Sequence, residues 1–300
     1  LNHGGIEMGQ GTHTKIAQLV ANSFGLPYNL VHISSTNTSK VPNTSASAAS
    51  STTDLNGAAA LNAVSKIKLN LENFLKKKYK IYNCQAEYKD QHIIFGNRNF
   101  EFKKIIQEAY LNSISLSSSG FYSTPKINFD KKKFKGRPFL YFCYGAAVSE
   151  VTIDTLTGEN VLERVDILHD AGKPINSALE LGQIEGGFVQ GRGWLTIEEL
   201  NWKSNGQITT FSPSTYKIPA VSDMPKKFNV EIFKKGLNIE KVINKAKTTG
   251  EPPLMLAMSV FFAIKDAIAS ISNYEKIPQI DAPATPEKIL LSIKKLKNII

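Results

Sequence analysis

Cysteine is nearly absent. Two thiols, Cys84 and Cys143, serve all 300 residues, which excludes a disulfide scaffold and a four-cysteine metal site and suits a reducing, cytoplasmic compartment. Histidine is scarce as well: His3, His13, His32, His92 and His169 show no metal-ligand spacing. Only Arg98, Arg137, Arg164 and Arg192 carry the guanidinium fork that nucleic-acid recognition favours. The net charge of +10 therefore rests on lysine, gathered in runs such as Lys76–Lys78, Lys131–Lys133, Lys226–Lys227 and Lys294–Lys295. These read as solvated surface, so no nucleic-acid partner is expected and only a weak pull on an acidic partner remains. Long hydrophobic runs are missing too. The longest, Leu254 to Ile264, stops at Lys265-Asp266, short of the ~20 residues that span a bilayer, and no membrane partner is expected. The chain opens on Leu1 with no initiator Met and no leader, which implies sequence upstream. There is no Gly-x-Ser-x-Gly elbow, and no Walker or dinucleotide fingerprint.

What is present is ordinary globular material: 42% apolar and 21% charged residues, enough to bury a substantial core. Ile16, Leu19, Val20 and Phe24 repeat at helical spacing over Thr12–Phe24, and Gly25 closes that helix. Leu30–Ile33 reads as a strand. The Ser, Thr, Asn and Ala tract over 34–53 opens a helix over Asp54–Leu75 and offers it caps and free N–H groups. A strand at His92–Phe95, a helix over Phe100–Leu111 and a hairpin over Leu140–Leu168 with its turn at Leu156–Glu159 follow. Then come a glycine-studded helix over Glu180–Leu200, a strand at Phe228–Phe233, a buried helix over Leu254–Ile271 and a last helix opened by Pro283 and Pro286. No repeat has a solenoid period, and strands and helices do not alternate strictly. The fold class is α+β, mixed sheets with packed helices.

Four places can carry chemistry. In Gly250-Glu251-Pro252-Pro253, the prolines suit a helix's first turn and fix Glu251 at the mouth of an apolar helix. The helix field favours the charge of that carboxylate and apolar surroundings oppose it, a tension useful to a general base; a plain helix-capping acid is the simpler reading. In Glu7-Met8-Gly9-Gln10-Gly11-Thr12, glycines let backbone approach a ligand and free N–H groups favour an anion. The hydroxyl-rich tract Asn43–Thr53 leaves room for something bulky. Gly182-Gln183-Ile184-Glu185-Gly186-Gly187 places glycines in a helix, each costing about 0.5–1 kcal/mol, so either close packing or close approach of a cofactor must account for them. His169-Asp170 suits a strand end better than an acid–base pair.

Together these motifs resemble the xanthine dehydrogenase and aldehyde oxidase family of molybdenum hydroxylases. Gly4-Gly5-Ile6-Glu7-Met8-Gly9-Gln10-Gly11-Thr12-His13-Thr14-Lys15 is similar to its molybdopterin-contacting loop, and Val41-Pro42-Asn43-Thr44-Ser45 with Ala48-Ala49-Ser50 to its second cofactor loop. Leu116–Tyr122, Ala178–Gly186, Pro213–Pro219 and Gly250–Pro253 match in the family's order. Gly136–Phe142, Leu168–Gly172 and Gly193–Thr196 read like the molybdenum-binding large subunit of bacterial-type enzymes.

That likeness spans nearly the whole chain and implies that residues 1–300 are the C-terminal portion of a molybdopterin-binding domain whose upstream part is absent here. It implies Glu251 as the general base that activates a molybdenum-bound hydroxyl. It places Met8, Gly9, Gln10, Gly11, Ser50, Thr52 and Gln183 against the cofactor, and Ala48 and Ala49 beside substrate. The metal is then held by the pterin dithiolene with no protein ligand. Lys247-Thr248-Thr249-Gly250 departs from the family's usual Lys-Ala-Val-Gly. The implied reaction is hydroxylation of a purine, hypoxanthine or xanthine to urate. Electrons would leave through iron–sulfur clusters and FAD on a partner domain or subunit of a higher oligomer, and this portion would be inactive alone. An aldehyde oxidase-type hydroxylase and a non-catalytic lysine-rich binding module are the alternatives.

Overall fold

The computed structural model describes residues 1–40, 44–48 and 50–298, in two compact units. The first unit comprises Leu1–Tyr141 with two returning segments, Lys173–Asn176 and Asn238–Ala246. Its spine is α2 (Thr52–Tyr79), 28 residues and so about 42 Å long. Apolar residues at helical spacing give α2 one buried stripe, which serves two neighbours in turn. Ala60 and Val64 pack on Ile16 and Val20 of α1 (Thr12–Phe24). One end further on, Leu71, Phe74 and Leu75 meet Ile93 and Phe95 of an antiparallel meander. That meander is β1 (Glu87–Lys89), β2 (His92–Phe95) and β3 (Arg98–Glu101), and it runs into α3 (Phe102–Leu111), which adds Ile105 and Ala109. A hairpin of β4 (Asn128–Asp130) and β5 (Lys135–Arg137) is tied down by Glu240, which receives Lys126 at 2.7 Å and Arg137 at 2.6 Å.

The second unit comprises Phe142–Gly172, Ser177–Leu237 and Lys247–Ile300. β6 (Gly145–Ile153) and β7 (Asn160–His169) form the hairpin, and β8 (Lys227–Ile232) joins parallel to β7. A bulge at Glu150/Val151 inserts Glu163 into β7 and changes the parity of its alternation. Leu162 faces inward before it; Val165, Ile167 and His169 face inward after it. The crossover from β7 to β8 is α4 (Ser177–Thr196), and α5 (Met258–Ser270) and α6 (Pro286–Leu296) complete the layer. Ile184 and Phe188, then Val260, Ile264 and Ile268, then Ile289 and Ile293 repeat at helical spacing and close a core in which most are fully buried.

Several expectations shift. Leu30–Ile33 joins no sheet among the described residues: Tyr28–Leu30 is a single 3-10 turn, and beyond it the His32 carbonyl and the Ser34 N–H bond Leu1 alone at the chain's start (2.8 and 3.2 Å). The helix after Glu251 begins as a 3-10 segment, Pro252–Ala257, before α5. The combined stretch Pro252–Ser270 is long and apolar enough, by length and composition alone, to cross a membrane; Val260, Ile264 and Ile268 lie in the core. Ser51 sits at the N-cap of α2 but its hydroxyl bonds the Ala48 carbonyl (3.0 Å) and caps nothing.

Ile264 is fully buried at the centre of the second core. Ile264→Ala should cost about 2–5 kcal/mol, read as a lower urea midpoint. A loss under half a kcal/mol would contradict the packing.

Candidate functional site

In the first unit the glycine loop and the hydroxyl-rich tract come together. The Ile6 N–H donates to Ser47 Oγ (2.8 Å), Thr36 Oγ1 donates to the Gly5 carbonyl (3.0 Å), and the Gly4 N–H donates to Asn56 Oδ1 (3.0 Å). The approach is so close that a Cβ on Gly4 would overlap the Thr44 side chain, and one on Gly5 would stand 2.7 Å from Thr52. Between them lies a cavity of about 920 Å³, lined by Gly4, Glu7, His13, Thr36, Thr44 and Ser47 among others.

The anion-binding N–H groups expected in this loop are already occupied. Glu7 Oε1 accepts from Gly9 and Gly11 (2.9 Å each), and Oε2 accepts from His13 (2.8 Å). Burial pushes this carboxyl up, but the three N–H donors outweigh it and hold it below its ordinary value. The helix N-terminus thus carries an internal anion, and an external phosphate would have to displace it. Gln10 also turns onto its own loop: its Oε1 accepts from Met8 (2.6 Å) and its Nε2 donates to the Ile6 carbonyl (2.7 Å). Gly9 and Gly11 adopt positive φ (102° and 77°), which only glycine takes without strain. Met8 is exposed. Ser50 lies at φ 52° just ahead of Thr52, the buried first residue of α2, and Ala48 is exposed. Ala49 and Val41-Pro42-Asn43 lie outside the described residues.

Beside this cavity is buried His3. Its Nδ1 accepts the Gly5 N–H (3.1 Å), which leaves the proton on Nε2, and that atom has no partner among the described residues. Burial, then the charge of His13, lower its pKa to about 4, with Glu7 opposing. Hydroxyls, amides and an unpartnered imidazole suit an organic group with a polar edge, and a molybdopterin fits that donor set.

In the second unit Glu251 stands at a corner clamped on both sides. Upstream, the Lys247 ammonium pairs with Asp170, the Lys247 N–H donates to Ala171 (2.8 Å), and buried Thr249 donates its hydroxyl to buried Glu180. Cys143 Sγ donates to the Thr248 carbonyl (3.1 Å). Downstream, Pro253 and Leu254 rest on α4, where a Cβ on Gly187 would lie 3.1 Å from Pro253 and one on Gly191 2.5 Å from the Leu254 carbonyl. Glu251 itself is exposed and its side chain caps nothing, so the capping role and the apolar mouth are both absent within this unit. Gln183 lies one turn before Gly187 on the same side of α4. Gly182 and Gly186 face open space. The glycines of α4 therefore divide into three packed ones, Gly187, Gly191 and Gly193, and two open ones, Gly182 and Gly186.

Asp170 is a turn former at the end of β7: its Oδ1 accepts the Gly172 N–H (2.9 Å) and its other oxygen holds Lys247. His169 is buried on the inner face, and burial lowers its pKa with the Asp170 charge opposing. Sequence reasoning missed the Glu7 clamp, the Glu180–Thr249 pair and buried Arg192. Arg192 alone was signalled, by its place on the Ile184, Phe188, Thr196 stripe of α4.

The family model of the molybdopterin cofactor-binding domain matches residues 1–225. The chain belongs to that family. It is 44% identical to a xanthine dehydrogenase of Oryza sativa subsp. japonica, over 97% of this chain and 21% of that protein. It is 43% identical to a xanthine dehydrogenase/oxidase of Mus musculus, over 96% of this chain and 21% of that one. It thus spans about a fifth of the length of the curated relatives it matches. CO dehydrogenase from Oligotropha carboxidovorans superposes with a TM-score of 0.83 at 20% identity, over all of this chain and 36% of that one. Quinoline 2-oxidoreductase from Pseudomonas putida 86 gives 0.82 at 22% identity, over 98% and 36%. The shared α+β fold is that of molybdopterin-binding domains.

Two measurements check this site. Gly182→Ala should raise stability by about 0.5–1 kcal/mol while Gly191→Ala lowers it, because its methyl meets backbone; equal shifts would refute the division. For His3, the folded pKa (about 4) lies below the ordinary 6.5, so its stabilising neutral form is fully present above pH 6.5 and is lost as pH falls toward 4. The thermal midpoint should decline over that window, and His3→Gln, which cannot titrate, should flatten the decline.

Proposed function

We propose that residues 1–300 form the C-terminal portion of the molybdopterin-binding region of a xanthine dehydrogenase-type molybdenum hydroxylase, acting on hypoxanthine or xanthine, with Glu251 as general base. The observation that carries the reading is a carboxylate held at a corner, clamped by Thr249 and Lys247 before it and by the prolines after it, whose side chain is exposed and caps no N–H of the following segment among the described residues. The 40–44% identity to xanthine dehydrogenases over nearly the whole chain supports the purine substrate.

In this reading Met8, Gly9, Gln10, Gly11, Ser50, Thr52 and Gln183 would contact the cofactor, and Ala48 and Ala49 the purine. The cofactor, when bound, supplies the oxygen transferred to the ring and takes up two electrons. With the cofactor held, the Glu251 carboxylate would act as the proton acceptor for that chemistry. Fixing the corner beforehand matters because general-base help, about 10²–10⁴-fold, depends on hydrogen-bond reach to the proton. Gln10 would give up its bonds to Met8 and Ile6 to reach the cofactor. Iron–sulfur clusters and FAD sit on other parts of the longer enzyme, a cytoplasmic oligomer.

In the full-length enzyme, Glu251→Gln should keep its molybdenum content while xanthine turnover falls by at least about a hundredfold. A near-wild-type rate of enzyme reduction by xanthine would reject the assignment.

A further inference from the structure

A second cavity, about 400 Å³, lies in the second unit between the start of β7, the end of α4, the Lys217–Met224 loop and the start of α6. Its wall is rigid: Gly158 in the β6–β7 turn comes so near Pro286 that a Cβ there would overlap the Pro286 carbonyl. Arg192 lines the cavity and is 4% exposed. Its Nε and Nη1 are buried and have no acceptor among the described residues. Taking a guanidinium out of water without an acceptor costs several kcal/mol, and buried donors are almost always satisfied. Asp223, on the same wall, opposes the effect of burial on Arg192, yet it forms no ion pair with it: its Oδ2 accepts the Ala220 N–H (2.8 Å). The Thr196 hydroxyl donates to the Arg192 carbonyl and that of Thr285 accepts the Lys288 N–H, and neither accepts from Nε or Nη1 of Arg192. Among the described residues, none accepts from the Nε or Nη1 of Arg192.

We propose that this cavity is a binding site for a small oxyanion, a phosphate or a carboxylate, received by Arg192 with Lys217 at the mouth. The shape of the guanidinium favours it, since two parallel N–H donors match two oxygens of one anion. Exposed Lys217 and Glu159 and half-buried Asp223 also border the cavity, so the selectivity rests on the buried fork rather than on net charge. The site is independent of Glu251 and does not rest on the purine reading.

The test is thermal unfolding of the full-length enzyme in anion-poor buffer, with inorganic phosphate or acetate titrated in and chloride at matched ionic strength as control. One arm should raise the midpoint, at tenfold over its dissociation constant, by about 2 °C where this region unfolds by itself and about 0.5 °C where the whole enzyme unfolds together; which arm does so tells tetrahedral anion from carboxylate. Arg192→Met should lose that response. In anion-poor buffer it should be at least as stable as the parent, because an apolar side chain removes the buried charge. An equal response in parent and variant, no response to either anion, or a variant destabilised without anion would overturn the proposal. The last outcome would mean that Arg192 is already satisfied within the protein.

Discussion

The second unit depends on how closely one short 3-10 segment can approach one helix. Pro252–Ala257 rests on the side of α4 that shows Gly187 and Gly191. A side chain at Gly191 would meet the Leu254 backbone rather than a flexible tip, so the segment cannot settle there unless that position is bare. This seating fixes Glu251, because Pro252 and Pro253 allow little rotation between the carboxylate and the packed surface. The glycines weaken α4 as an isolated helix. What holds it is the adjoining stripe of the same side, where Ile184 and Phe188 are fully buried in the core that also takes in Ala257. The bare glycines and the apolar stripe thus form one continuous packing side, and Gly182 and Gly186 lie away from it.

The first unit solves a different problem, a long irregular loop with many backbone polar groups. Glu7 answers most of it alone by accepting three N–H donors, and Ser47, Thr36 and Asn56 satisfy the adjoining Gly4–Ile6 backbone. Buried backbone groups left unpaired would each cost more than a typical net hydrogen bond supplies. A loop organised in this way keeps its shape without a ligand, which suits a surface that must receive a large polar group.

Charge is distributed in two ways. The lysine runs at Lys131–Lys133 and Lys226–Lys227 are exposed, and pairs such as Lys78–Glu108 are open to screening by salt. Lys247–Asp170 is instead largely buried. Removing one partner of such a pair leaves a charge without solvent or counter-ion, so its value is in locating the Lys247–Glu251 turn. Both partners flank backbone that carries the corner: Asp170 holds the turn after β7, and Lys247 begins the approach to Glu251.

Much of the chain was legible in one dimension. Helical spacing located α1, α2 and α5, the Leu156–Glu159 turn located the β6–β7 hairpin, and Gly25 ended α1 in the left-handed conformation that its residue type announces. These are local matters of periodicity and backbone freedom, and residue order fixes them. Motif order likewise pointed to a molybdopterin-binding domain. Contacts between distant segments were not legible: that Glu7 would occupy its own helix terminus, that a bulge would turn His169 inward, that Thr249 would find Glu180, or that Arg192 would lie buried beside a cavity. Each depends on where separate elements come to rest, and burial and hydrogen bonding across that distance are decided only when the chain has packed.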